Sequence, residues 1–144
     1  MRVLKISPEE LEEYLNKKSG LLGVFGDNDM RNALAAQARG DNKAELALAI
    51  YYRRIAGDVG RIIAGMGGCD QIVFTGTIGE RGYETRIEVM KAFEYMGFRL
   101  DVNKNNLELD HGHLNVAAEG SQDILVVKTG EMEMMVLRAA GLFK

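Results

Sequence analysis

The stretch VFTGTIGERGYE, residues 73–84, decides the fold. An apolar run, Ile72–Val73–Phe74, stops at Thr75; glycines follow at Gly76, Gly79 and Gly82, and a charged helical pattern then begins. An apolar run closed by a glycine turn and continued as a helix is a strand–turn–helix unit. The same order returns in ILVVKTG, residues 124–130, where the strand Ile124–Val127 is followed by Thr129–Gly130 and a helix from Glu131 to about Ala140. Strands alternating with helices predict an α/β fold with a parallel, helix-covered sheet. The apolar residues of the first strand, Gln71–Thr75, are consecutive and do not alternate, which predicts burial on both faces.

Outward from this unit, the helical signals are local and strong. Ser7, Pro8 and Glu10 supply an N-cap, a first-turn proline and a capping box for a helix that Ser19–Gly20 ends, with Leu11, Tyr14 and Leu15 as its apolar stripe. Residues 21–28 read as a loop with turn formers, followed by a short helix from Asp29 or Met30 to about Arg39. A long helix runs from about Lys43 to Gly65, with Ala44, Ala47, Leu48, Tyr51, Ile55, Val59, Ile62 and Met66 at helical spacing and Leu46, Ile50 and Ile63 widening the stripe. Gly57 and Gly60 inside it predict close packing against a neighbour. Beyond the glycine turn a helix spans about Tyr83 to Met96, with Val89, Met90 and Phe93 as core positions. Phe98, Leu100 and Val102 alternate as a short strand, and Leu114–Ala118 is a weaker one.

Length and composition bound the function. The chain has 144 residues, 47% of them apolar, and a net charge of −3, so it reads as one soluble globular domain over 1–144. Charges of both signs are interspersed, which gives no footing for nucleic-acid binding. The longest apolar run, Leu46 to Tyr52, is far below membrane-spanning length, and a single cysteine, Cys69, allows no internal disulfide. A cytoplasmic protein is expected. Asp110–His111–Gly112–His113 reads as a solvated loop, Cys69 as a small buried residue, and Met132, Met134 and Met135 as core or interface.

The glycine turn leaves two readings open. In open α/β sheets ligands bind beyond the carboxyl ends of the strands, where a helix N-terminus offers unpaired N–H groups to a phosphate. Gly76 and Gly79 would let the backbone approach such a ligand without a Cβ in the way. The spacing G-x-x-G-x-x-G, however, is neither the dinucleotide fingerprint nor a P-loop, and a turn that needs positive φ is the commoner cause of such glycines. Glu131, opening the second helix, is either an acid favoured by the helix dipole or a carboxylate beside a magnesium ion. Glu80 is in a similar position at the first turn.

Four segments appear together and in order: LNKKSGLLGV (15–24), DMR (29–31), MGGCDQIVFTGTIGE (66–80) and VVKTGEMEMM (126–135). On these the chain resembles the C-terminal half of the acetokinase family, typified by acetate kinase and propionate kinase, from about residue 8 to the end. The resemblance implies the C-terminal half of an actin-like ATPase domain of the sugar-kinase, Hsp70 and actin class, with helices packed on a partly parallel sheet. It implies ATP or ADP with Mg2+ as cofactors, and phosphoryl transfer between ATP and a short-chain carboxylate such as acetate or propionate. It assigns Asp29, Met30 and Arg31 to the segment lining the adenosine pocket. Gly76, Thr77, Ile78, Gly79, Glu80 and Arg81 match the glycine-rich turn over the nucleotide, and Glu131 matches the glutamate associated with magnesium.

The departures are specific. The family's turn is Gly-Gly-Ile-Gly-Glu-Asn; here Thr77 replaces its second glycine and Arg81 its asparagine. The family's Pro-Thr-Asn-Glu is here Lys128–Thr129–Gly130–Glu131. Family members are more than twice as long, and the half without a counterpart here carries the residues credited with binding the acyl phosphate. No catalytic residue is therefore assigned to this chain, and inactivity without that half is expected. The acyl phosphate or carboxylate would bind only with it; a homodimer, or pairing with an N-terminal-half chain, is expected. The alternative is a non-catalytic remnant that serves dimerisation or assembly.

Overall fold

The computed structural model describes residues 6–141. It divides into two compact units, one reaching to Asp58 and one from Val59 onward.

The first unit is helical. Helix α1 (Pro8–Lys17) begins with the capping box its sequence predicts: the Glu10 amide donates to Ser7 Oγ at 3.1 Å and the Ser7 amide donates to Glu10 Oε2 at 2.7 Å. None of its residues is buried, so the Leu11–Tyr14–Leu15 stripe does not form core; Leu15 is 56% exposed. Residues 21–28, expected as a loop, instead contain helix α2 (Gly20–Phe25), ended by Gly26 at φ +97°. Its apolar residues Leu21 and Phe25 pack on a small cluster of Ala33, Leu48 and Tyr52, and that burial stabilises a turn-rich sequence as helix. Helix α3 (Met30–Ala38) is capped by Asp29, whose carboxylate accepts from the Arg31 amide. Helix α4 (Asn42–Met66) is capped by Asp41, which accepts from the amides of Lys43 and Ala44. Its buried face in this unit is Ala44, Ala47, Leu48 and Tyr52. Of the three widening positions Ile63 is buried, while Leu46 and Ile50 are exposed, as are Ile62 and Met66 of the stripe itself.

The second unit is α/β. Strand β1 (Gln71–Phe74) leads into a six-residue helix α5 (Gly76–Arg81), then α6 (Tyr83–Met90), whose axis continues as a 3-10 turn over Lys91–Met96. Helix α7 (Val102–Asn105), strands β2 (His113–Asn115) and β3 (Asp123–Val127), and helix α8 (Glu131–Ala139) follow. The sheet has the order β1–β3–β2. β1 and β3 are parallel, with Phe74 opposite Val126, while β2 runs antiparallel to β3, so the sheet is mixed. Asp123 fixes the register at one end, accepting from Gln71 Nε2 at 3.1 Å and from Asn115 Nδ2 at 2.7 Å.

Ile63, Val89, Met90, Phe93, Phe98, Val116, Ala117, Ile124 and Val126 are the buried apolar residues of this unit. β1 is an edge strand among the described residues, and Val73 is 51% exposed, so it is not covered on both faces as its composition suggested. Phe98–Val102 does not form a strand either. Leu100 makes one isolated bridge to Ala117, and Asp101 turns the chain into α7 by accepting from the amides of Asn103 and Lys104. Gly60 approaches the Phe93 ring within 3.8 Å of where its Cβ would lie, whereas Gly57 faces open space.

Candidate functional site

The parallel pairing of β1 and β3 delivers their carboxyl ends side by side; β1 passes through Thr75 into α5, and β3 through Lys128, Thr129 and Gly130 into α8. Two side chains tie the ends together. Thr75, which caps α5 without using its hydroxyl on that helix, donates Oγ1–H to the Val127 carbonyl at 3.1 Å. Glu80 Oε1 accepts from both the amide and the hydroxyl of Thr129, each at 2.8 Å. These hydrogen bonds, led by the one from the Thr129 amide, hold the Glu80 carboxyl below its ordinary pKa, with smaller help from Lys128 and Arg81. The glycine-rich turn and the entry to α8 are thus one structure.

Each glycine of the turn has a different cause. Gly76 lies at φ +72° with open space where a Cβ would be, the left-handed region that favours glycine. A Cβ on Gly79 would fall 3.1 Å from the Phe74 carbonyl carbon, so this glycine lets α5 pack on the end of β1 and does not face open space. A Cβ on Gly82 would sit 2.5 Å from the Ile78 oxygen, so this one permits the tight exit from α5, where the Gly82 amide donates to that same oxygen at 2.7 Å.

Thr77, Ile78 and Arg81 are exposed and Glu80 is half-buried. Beside Glu80 and Arg81 lies a cleft of about 490 Å³, lined also by Tyr83, Glu108, Leu109, Asp110 and Lys128. On the α8 side a shallower, mostly apolar hollow of about 400 Å³ is lined by Thr129, Gly130, Met134, Met135 and Arg138. Glu131 is the first residue of α8, after Gly130; its side chain lies outside the described residues.

Asp29, Met30 and Arg31 belong to the first unit. Asp29 is committed locally: beyond capping α3 it binds Arg31, whose Nη2 donates to Asp29 Oδ2 at 2.6 Å. That guanidinium is the main cause of an Asp29 pKa of about 2. Asp27 backs the turn, accepting from the Asp29 amide at 2.9 Å and from Asn32 Nδ2 at 2.7 Å, and its pKa is lowered mainly by that amide. Met30 packs against the Ala33–Leu48–Tyr52 cluster. Arg31 keeps an exposed face.

Sequence reasoning missed Arg86. It is 1% exposed, and its guanidinium caps the carboxyl end of α5: Nη1 donates to the carbonyls of Gly79 and Glu80 at 2.7 and 2.9 Å. Nε and Nη2 donate to the side-chain and backbone oxygens of the fully buried Asn105. A signal was present. Arg86 stands three, four and seven residues before Val89, Met90 and Phe93, on the core face of its helix.

The model of the acetokinase family matches residues 1–138. The chain belongs to the acetokinase family. It is 35% identical over 139 residues to an acetate kinase of Clostridium botulinum, an alignment that takes in 95% of this chain and 34% of that protein. Its structure superposes on the crystal structure of Porphyromonas gingivalis acetate kinase with a TM-score of 0.85 and 34% identity, covering 100% of this chain and 36% of that one. A propionate kinase from Francisella tularensis gives a TM-score of 0.80 at 35% identity, covering 92% of this chain and 33% of that one. The fold of this acetokinase chain is therefore that of the actin-like ATPase class. The chain spans about a third of the length of the curated relatives it matches.

Gly76 leaves open space at the strand ends, and the cationic side chains of Arg81 and Lys128 share their cleft with the carboxylates of Glu80, Glu108 and Asp110. Among the described residues no group of three or more His, Cys, Asp or Glu could cage a metal ion.

Proposed function

We propose that this chain is the nucleotide-binding portion of an acetate-kinase-like carboxylate kinase, taking Mg·ATP or Mg·ADP at the carboxyl ends of β1 and β3. The observation that carries this reading is the Glu80–Thr129 junction, which makes the glycine-rich turn and the start of α8 a single surface in an acetokinase chain. Gly76, Thr77, Ile78, Gly79, Glu80 and Arg81 would form the glycine-rich turn over the nucleotide. Asp29, Met30 and Arg31 would serve the adenosine, and Glu131 would hold magnesium through water. Magnesium would neutralise phosphate charge. The chain's own part is to orient the nucleotide with backbone amides and to keep Glu80 engaged on Thr129, away from the phosphates.

Phosphoryl transfer depends on positioning and charge neutralisation across a closed site. Two-thirds of the length of the relatives has no counterpart here, so transfer to acetate or propionate would require the remaining part of the family fold, in the same or another chain. A cytoplasmic location accords with such a substrate. The test is calorimetric titration with Mg·ADP, followed by an acyl phosphate assay after mixing with a chain that carries the rest of the fold. Binding with heat, and activity only in the mixture, is the expected result; no heat at millimolar nucleotide would refute the reading.

A second reading, a non-catalytic dimerisation or assembly module, draws on α8, where Met132, Met135 and Val136 are 81%, 67% and 66% exposed. Monomeric behaviour in sedimentation at high concentration would remove it.

A further inference from the structure

Arg86 is a cation almost wholly withdrawn from water, and the acceptors of its hydrogen bonds among the described residues are backbone carbonyls and the Asn105 side chain. Burial lowers its pKa, yet a guanidinium remains charged at neutral pH. Burying an ion is costly unless its donors are satisfied, and here backbone carbonyls and Asn105 satisfy them. Asn105 is itself held, donating Nδ2 to the Tyr83 carbonyl at 3.1 Å, and the guanidinium lies 4.9 Å from the centre of the Tyr83 ring. Such an arrangement specifies one geometry, because a displaced turn would strand a buried charge.

The carbonyls that Arg86 holds, those of Gly79 and Glu80, close the carboxyl end of α5, where a cation is favoured by the helix dipole. Glu80 is consequently gripped twice. Its backbone oxygen is fixed by Arg86, and its side chain takes the two hydrogen bonds from Thr129. A continuous path of hydrogen bonds therefore runs from Asn105 through Arg86 and Glu80 to Thr129, at the entry of α8.

We propose that Arg86 is a positioning residue for the nucleotide surface: a buried cation that sets the orientation of the glycine-rich turn and, through Glu80, of the Thr129–Gly130 approach to α8. The ligand in question is the nucleotide phosphate chain, so the consequence for binding rests on the function proposed above; the consequence for the turn does not.

The test compares the wild-type chain with Arg86→Lys, which keeps the charge but cannot reach both α5 carbonyls and Asn105 together. Amide hydrogen exchange by NMR is read at Gly82 and Thr129, with Leu125 in β3 as the internal reference. In Arg86→Lys, protection at Gly82 and Thr129 should fall at least tenfold relative to Leu125, and the Kd for Mg·ADP should rise at least fivefold. A fall shared equally by all three amides would make Arg86 a contributor to general stability and overturn the proposal. If the variant does not fold, the wild type decides. A Thr129 amide protected nearly as well as Leu125 supports the path through Glu80, and one that exchanges as freely as an exposed loop overturns it. Wild-type chain that binds no nucleotide, while Arg86→Lys still selectively loosens Gly82 and Thr129, would remove the function and leave the positioning role standing.

Discussion

Glu80 and Thr129, 49 residues apart in sequence, are joined by two hydrogen bonds of 2.8 Å that converge on one carboxylate oxygen. The relationship makes one surface from two strand–turn–helix units. It also makes that surface sensitive to acid. The folded-state pKa of Glu80 lies below its ordinary value, so the junction's contribution is complete above the ordinary glutamate range, near pH ~4.3, and is lost as the pH falls through the lowered value. The Thr129 amide shift, followed by NMR against pH, should titrate with a midpoint below ~4.3. Glu80→Gln should abolish that titration. A midpoint at or above the ordinary value would contradict the junction.

The glycines of the turn predict contrasting stabilities. Gly76→Ala forces a Cβ into left-handed backbone, at about 1–2 kcal/mol. Gly82→Ala drives a Cβ against the Ile78 oxygen, a backbone atom that cannot swing aside, and should cost about 1–3 kcal/mol. Gly57→Ala, in an exposed and open part of α4, should instead gain about 0.5–1 kcal/mol. Denaturant unfolding of the three variants checks the order.

How much of this was legible in the sequence depends on how local each cause is. Ser7, Pro8 and Glu10 announce α1 because a capping box is complete within four residues. The strand–turn–helix order around 71–90 and 123–139 is equally local. The segment 98–102 alternates like a strand, but pairing needs a neighbour, and only Leu100 finds one before Asp101 caps a helix. Val73 reads as buried because its neighbours are apolar; its exposure is decided by what lies over the sheet, which no short pattern encodes. Arg86 was overlooked because charge usually marks a surface. Its position on the Val89–Met90–Phe93 face was the stronger signal.

Core substitutions in the second unit should separate packing from site effects. Phe98, fully buried, should cost about 3–5 kcal/mol on replacement by alanine. Val73→Thr, on the half-open edge strand, should stay within about 0.5 kcal/mol. Thermal unfolding followed by circular dichroism distinguishes them.

The two departures in the turn predict opposite effects on binding. Thr77 and Arg81 are both exposed at the surface proposed to meet the phosphates. Thr77→Gly removes a Cβ from the backbone's approach to the ligand and should tighten Mg·ADP binding severalfold, whereas Arg81→Asn removes a cation beside the phosphates and should weaken it severalfold. Calorimetric Kd values of the two single variants check the signs, and tighter binding by Arg81→Asn would contradict a phosphate role for Arg81.

The most direct measurement is an NMR titration of the labelled chain with Mg·ADP. Saturable shifts should concentrate at Gly76–Arg81 and Thr129–Gly130, the two sides of the Glu80 junction, while amides of α1 remain unmoved. Shifts confined to one side, or none at millimolar nucleotide, would contradict a nucleotide surface built from both strand ends.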